Sequence, residues 1–286
     1  MRIEAAGIGY TYGPGLPWEK RALDDVSFQV EGGEFIGLIG ETGSGKSTLV
    51  QILNGLLRPS AGAVMLDGLN IFNRKLPIAK VRAQVGLVFQ FPEQQLFAET
   101  VAEDVAFGPR NLGLISQEVS RRVEEALLKV GLDPAKFRPR NPFTLSGGEK
   151  RLVAIAGILA MRPSVLIVDE VTAGLDPRGK RDILTRLKLL HRNDGATVIM
   201  VSHDMDEVVS LAERVIVLQE GRIVLQGPTR QVFSQADSLR KAGLDLPTIP
   251  GFLDALNQCG WSLPIATFDV KEAALSIARE LRHGSL

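Results

Sequence analysis

The sequence predicts an α/β domain on a mainly parallel core sheet, followed by a small helical domain, and three observations carry that prediction. Apolar runs of strand length alternate with segments of helical periodicity. One of those runs leads straight into a glycine-rich turn and then a helix. Strand signals stop after Gly227-Pro228, where short helical pieces begin.

Taken in order, GIGYTY and VSFQV between Arg2 and Val30 alternate apolar and polar residues as short strands, with the loop GPGLP between them. Glu34 to Ile39 is a continuous apolar strand of the kind buried on both faces of a sheet. It runs into GETGSGKST and a helix over Thr48 to Leu57. Val85 to Gln90 is a second buried strand. Over Ser116 to Val130, Val119, Val123, Leu127 and Val130 recur at helical spacing, with Glu118, Arg121, Arg122 and Glu125 on the other face. Val165 to Val168 and Thr197 to Ser202 are core strands joined by a helix from about Arg178 to His191. Arg214 to Gly227 reads as a hairpin turning at Glu220-Gly221. A boundary near residue 228 divides the chain into residues 1–228 and 229–286, with LDLPTIPG (Leu244 to Gly251) interrupting the helical pieces of the second part.

Composition excludes several classes of function. With 286 residues, 45% hydrophobic and 23% charged, the chain can bury a substantial core. Lys plus Arg and Asp plus Glu both number 33, so there is no basic footprint for a nucleic acid. The lone Cys259 excludes an internal disulfide framework, argues against a thiolate metal site and suits a reducing, cytoplasmic setting. No run approaches the roughly 18 apolar residues of a membrane span, and MRIEAAGIGY lacks an apolar signal core. A protein of this kind acting at a membrane would do so from its cytoplasmic face, as a peripheral subunit.

Gly40 to Thr48 fits a phosphate-binding loop. Gly40, Thr42, Gly43, Ser44 and Gly45 would wrap backbone N–H groups and a positive helix N-terminus around the phosphates of a nucleotide. Lys46 would reach the β/γ-phosphates, Ser47 would bind Mg²⁺, and Thr48 continues the loop into its helix. Val165 to Val168 end in Asp169 and Glu170, two carboxylates at the sheet edge where ligands bind. Asp169 would hold Mg²⁺ through water, and Glu170 would polarise the attacking water. Ser146-Gly147-Gly148-Glu149, followed by KRLVAIAGILA, forms a second anion-binding helix start beside a single phosphate loop.

LSGGE, lying between the phosphate loop and the acidic strand, resembles the signature of the ABC family of ATPases, and the resemblance runs from about residue 2 to 228. It implies a P-loop NTPase of ABC type with an antiparallel β-subdomain and a helical subdomain over about residues 91–161. It also implies a head-to-tail pair in which Ser146, Gly147 and Gly148 act on the ATP of a second ABC ATPase, either a related partner or a second copy. Gln90 resembles the Q-loop glutamine, a Mg²⁺ and water ligand; Asp176 in AGLD resembles the D-loop; His203 resembles the switch histidine that contacts the γ-phosphate. Tyr12, or alternatively Tyr10, would stack on adenine. Glu149 stands where Gln is commoner, placing a carboxylate near the partner's nucleotide, and Val171 stands where Pro is usual.

FPEQQLFAETVAEDVAFGPRN after Gln90, together with the tail, resembles the energy-coupling factor (ECF) ATPases, which drive vitamin or cobalt/nickel uptake in prokaryotes. That implies a membrane scaffold subunit and a substrate-binding membrane subunit as partners. Phe91, Leu96 and Phe97 either pack on the domain's own helices or line a groove for a partner helix. A conventional binding-protein-dependent importer ATPase and a non-transport ABC protein are the alternatives. In the tail, Asp269 and Glu272 fit a capping box, and Val270, Ala274, Ile277, Ala278 and Leu281 form a stripe for the chain's own domain or for a dimer.

Overall fold

The computed structural model describes residues 1–73 and 76–283, so the last three residues of the 229–286 segment lie outside it. The chain opens with β1 (Ile3–Tyr12), β2 (Lys20–Val30), β3 (Phe35–Ile39), α1 (Lys46–Leu53), β4 (Ala61–Leu66), β5 (Leu69–Asn70), α2 (Ile78–Gln84) and β6 (Val85–Val88). A helical stretch follows: α3 (Val101–Asn111), α4 (Ser116–Lys129), α5 (Pro134–Phe137) and α6 (Gly147–Leu159). Then come β7 (Val165–Asp169), α7 (Pro177–Asp194), β8 (Thr197–Val201), α8 (Met205–Leu211), β9 (Arg214–Gln219) and β10 (Arg222–Pro228). The tail is helical: α9 (Thr229–Phe233), α10 (Ala236–Lys241), α11 (Thr248–Gln258) and α12 (Val270–His283).

A six-stranded sheet runs β10-β9-β3-β8-β7-β6, parallel throughout except for the antiparallel β10 hairpin. A four-stranded antiparallel sheet, β2-β1-β4-β5, covers one of its faces. The two-residue period of a strand divides each central strand between two cores. Phe35, Leu166, Val168, Val198 and Met200 face the helices, and Ile36, Leu38, Val165, Ile167, Ile199 and Val201 face the antiparallel sheet. That is why these segments read as unbroken apolar runs. The α/β expectation and the parallel sheet therefore hold.

β1 and β2 are longer than the short strands expected, at 10 and 11 residues, because register shifts let them bend without breaking. The hairpin turns at Glu220 and Gly221, both at positive φ, as a two-residue turn between right-twisted strands requires. Beyond Pro228 the helices do not act as one body. Val232, Phe233, Leu239 and Leu244 join the main helical core, whereas Leu253, Leu263 and Ala273 form a separate small core with Trp261 and Ile277 packed on it. In α12, Ala273 and Ile277 face this core, while Val270, Ala274 and Leu281 are exposed, so the expected stripe is split between inside and outside. Asp269 accepts from the Lys271 and Glu272 N–H groups at 2.9 and 3.1 Å, while the Glu272 carboxylate lies 3.8 Å from Arg230.

This packing predicts unequal costs. Leu239→Ala, at a fully buried site of the main core, should lower stability by about 3 kcal/mol in urea unfolding of the whole chain. Leu253→Ala should instead expose the tail to proteolysis before the main transition shifts. Equal shifts of the main transition would contradict the division.

Candidate functional site

The phosphate loop is shaped by what its glycines must avoid. Gly40 follows β3 with φ 155°, and a Cβ there would run into the Leu218 carbonyl of β9. Gly45 caps α1 with φ 107°, and its Cβ would stand 2.6 Å from the Ala22 carbonyl oxygen. The loop is thus clamped between β9 and β2. Lys46 is buried at the first turn of α1, its ammonium donating to the carbonyls of Gly40 (2.6 Å) and Glu41 (2.8 Å). Burial lowers its pKa, opposed by the charges of Glu170, Asp169 and Glu41.

Three strand ends bring the carboxylates and their partners together. Asp169 ends β7, where burial raises its pKa against a hydrogen bond from the Ser47 hydroxyl and the charge of Lys46. Glu170 follows with φ 48°, a conformation costly for a residue with a Cβ, and its N–H donates to the Val201 carbonyl at 3.0 Å. Its carboxylate lies between two groups: Gln90 Nε2, just past β6, donates to Oε2 at 2.8 Å, and His203 Nδ1, just past β8, is 3.4 Å from Oε1. Tyr12 stands beside the loop, its hydroxyl 3.1 Å from Thr48 Oγ1 and its ring edge-on to Tyr10 at 4.8 Å. Tyr10 packs against the second core, and Tyr12 is the more exposed of the two.

The residues of the second helix start gather elsewhere. Ser146 caps α6 and exchanges hydrogen bonds with Glu149: the Glu149 N–H donates to Ser146 Oγ at 3.3 Å, and the Ser146 N–H donates to Glu149 Oε2 at 2.9 Å. Glu149 is thus turned back on its own helix, 3.5 Å from Arg140. The Ser146 N–H bond contributes most to holding its pKa below the usual value. Asp176 caps α7, accepting from the Gly179 N–H at 2.7 Å. Ser146, Gly147, Gly148, Gly174 and Asp176 line a cleft of about 650 Å³ to which no phosphate-loop residue contributes. The residues around Lys46 and those around Ser146 thus form two separate groups.

Two features were not read from the sequence. Arg151, in the apolar α6, is 3% exposed and grips Glu93 with two bonds (2.7 and 3.0 Å) and the carbonyls of Val171 and Ala173 (2.8 Å each). It thereby ties the segment after Gln90 to the segment after Glu170. The only sequence signal was a charge within an apolar helix, which a periodicity reading assigns to the solvent face. The second is that Leu96 belongs to the helical core, whereas Phe97 is 61% exposed and stacks edge-on against the exposed Phe107 at 5.0 Å.

The parallel sheet, the clamped phosphate loop and a separate cleft at the start of α6 define an ATP-binding cassette ATPase. The chain matches the ABC transporter family over residues 23–173. It is 48% identical to the energy-coupling factor transporter ATP-binding protein EcfA2 of Clostridium perfringens, over 98% of this chain and 99% of that one. It is 51% identical to the EcfA2 of Symbiobacterium thermophilum, over 97% and 96%. Among solved structures, cbiO1 from Clostridium perfringens, part of the ABC transporter complex cbiONQ, superimposes with a TM-score of 0.74 at 40% identity, over 88% of this chain and 98% of that one. The dimeric ATP-binding cassette MJ0796, in a post-hydrolysis state bound to ADP and Pi, gives 0.70 at 30% identity, over 79% and 98%. The chain belongs to the energy-coupling factor transporter ATP-binding proteins of the ABC transporter family, and it binds and hydrolyses ATP.

Burial at Asp169 generates a prediction. A carboxyl whose folded pKa is raised favours folding below its unfolded value, and that contribution is lost as pH rises through the folded value. Without nucleotide, Asp169→Asn should therefore melt higher than wild type at neutral pH, the gap closing as acid protonates the wild-type carboxyl. A gap that is independent of pH, or reversed, in calorimetric scans would contradict the burial cost.

Proposed function

We propose that this chain is the motor subunit of an ECF-type importer, held at the cytoplasmic face of the membrane by a scaffold subunit and a substrate-binding subunit, and powering uptake of a vitamin or transition-metal ion. The names of its relatives support the transporter class, and no helix among the described residues is long and apolar enough to cross a membrane. The observation that carries the mechanism is the Glu170 carboxylate held between Gln90 and His203 beside Lys46 and Asp169.

The loop fits a polyphosphate. The buried Ser44 hydroxyl has no hydrogen-bond partner among the described residues, and open space stands where a Gly43 Cβ would be. Loop N–H groups and Lys46 hold the β- and γ-phosphates, and the Tyr12 ring takes the adenine. Ser47, Asp169 and Gln90 would hold Mg²⁺, a hard cation suited to hydroxyl and carboxylate oxygens, which would neutralise charge between the phosphates. Glu170 accepts a proton from the attacking water while Gln90 orients the carboxylate and His203 donates toward the γ-phosphate. Ser146, Gly147, Gly148 and Asp176 complete the site of a second ABC ATPase, a related partner or another copy, whose own half-site completes this one.

Coupling to the membrane runs through a cleft of about 540 Å³ lined by Phe97, Phe107, Gly108, Gly157 and Met161. Its lining is largely apolar, with the exposed Arg82 among the lining residues, which suits an amphipathic partner helix. Leu96 lines the same cleft but is buried in the main helical core.

Two variants test this reading. Glu170→Gln should bind ATP with unchanged affinity and lose at least about a hundredfold in turnover; near-normal turnover would remove Glu170 as the base. Phe97→Asp with Phe107→Asp should release a folded chain from the membrane fraction and stop uptake. Retained membrane association and uptake would place the docking cleft elsewhere.

A further inference from the structure

α8 begins directly after His203 and is bonded into the ATPase site on its inner side. Asp204 caps it, accepting from the N–H groups of Asp206 and Glu207 at 3.1 and 3.3 Å. Glu207 is 5% exposed, and its Oε2 accepts from Ser202 Oγ (3.0 Å) and Thr172 Oγ1 (2.8 Å), with Lys180 3.4 Å from Oε1. One buried carboxylate thus joins the residue before His203 to the residue two beyond Glu170. A displacement of α8 must move both.

On its outer side α8 is held by the tail. Asp206 accepts from the Thr248 N–H at Oδ1 (2.9 Å) and from the Thr248 hydroxyl at Oδ2 (2.5 Å), at the first residue of α11. The strap leading into α11 touches the site again upstream. The Gln219 amide, at the end of β9, donates to the Lys241 carbonyl at 2.9 Å. The side chain of Glu41, in the phosphate loop, occupies the space where a Cβ on Gly243 would stand. Leu239 and Leu244 anchor the strap in the main core, while the small core around Leu253 hangs from α11 beyond it.

We propose that Asp206 and Thr248 are positioning residues for ATP hydrolysis, through which the carboxyl-terminal segment sets the loop carrying His203 against Glu170. This rests on the reading of His203 given above. A carboxylate taking two hydrogen bonds from one residue fixes direction as well as distance, so whatever moves the small core acts on turnover through α8. Nucleotide affinity, set by the phosphate loop and Lys46, is left largely unchanged.

The test uses the full-length chain with the partners that co-purify with it, measuring Mg-ATP hydrolysis and thermal midpoint together. Asp206→Ala should lower kcat about tenfold with KM for ATP within about twofold. Asp206→Asn, whose amide can still accept from the Thr248 N–H, should recover most of the rate, and Thr248→Val should fall between. An unchanged kcat in Asp206→Ala overturns the proposal. So does a loss shared equally by the Asn variant, with KM rising and the midpoint falling in step, which marks a structural contact only. His203→Ala, run in parallel, separates the two possible failures. A wild-type rate there defeats the reading of His203 and the proposal with it. A dead His203→Ala beside a fully active Asp206→Ala defeats the positioning alone.

Discussion

A cluster of opposite charges, the buried Lys46 and Asp169 with the half-buried Glu170, is what the rest of the chain is arranged around. Taking an ammonium and a carboxylate out of water opposes both ionised forms, and the structure registers this in a lowered Lys46 and a raised Asp169. Such a group persists only where neighbouring charges and dipoles answer it. The parallel sheet supplies that place, because β3, β8, β7 and β6 deliver Lys46, His203, Asp169-Glu170 and Gln90 to one edge. The strained Glu170 backbone and the glycines pinned against Leu218 and Ala22 are further costs of holding the same edge in register.

Much of this was legible in the sequence, for identifiable reasons. The central strands are covered on both faces, so Val165 to Val168 and Thr197 to Ser202 could not be mistaken for amphipathic elements. The glycine spacing from Gly40 to Gly45 is dictated by backbone sterics and therefore survives as a pattern. β4, β5 and α2 went unread because Ala61–Leu66 opens on small, exposed residues and the seven-residue α2 buries little beyond Val81. Leu96 and Phe97 lie in an irregular stretch after a short 3₁₀ turn, where no period tells an inward residue from an outward one. Glu149 was placed near a partner's nucleotide, but a Glu three residues past a Ser at a helix start also fits a capping box, and that local bond is what the structure shows. The Arg151 and Glu207 networks join residues far apart in the chain, which periodicity cannot register.

The proposed mode of action rests on the separation of two groups of residues in the chain. The glycine-rich loop, Asp169 and Glu170 lie on one edge, while Ser146 and Asp176 line a cleft to which Lys46, Asp169 and Glu170 contribute nothing. A helix start that satisfies its own Ser146 and Glu149 still leaves Gly147 and Gly148 with open space where a Cβ would stand. In the proposed function ATP would be the joint between two paired ATPases.

Sedimentation of the Glu170→Gln chain, with and without Mg-ATP and with its related ATPase supplied if one co-purifies, tests that claim most directly. The account predicts a nucleotide-dependent shift from single chains to pairs, abolished by Ser146→Arg, with wild-type specific activity rising with protein concentration. Saturating ATP bound to a chain that remains single, beside wild-type hydrolysis that is independent of concentration, would contradict it.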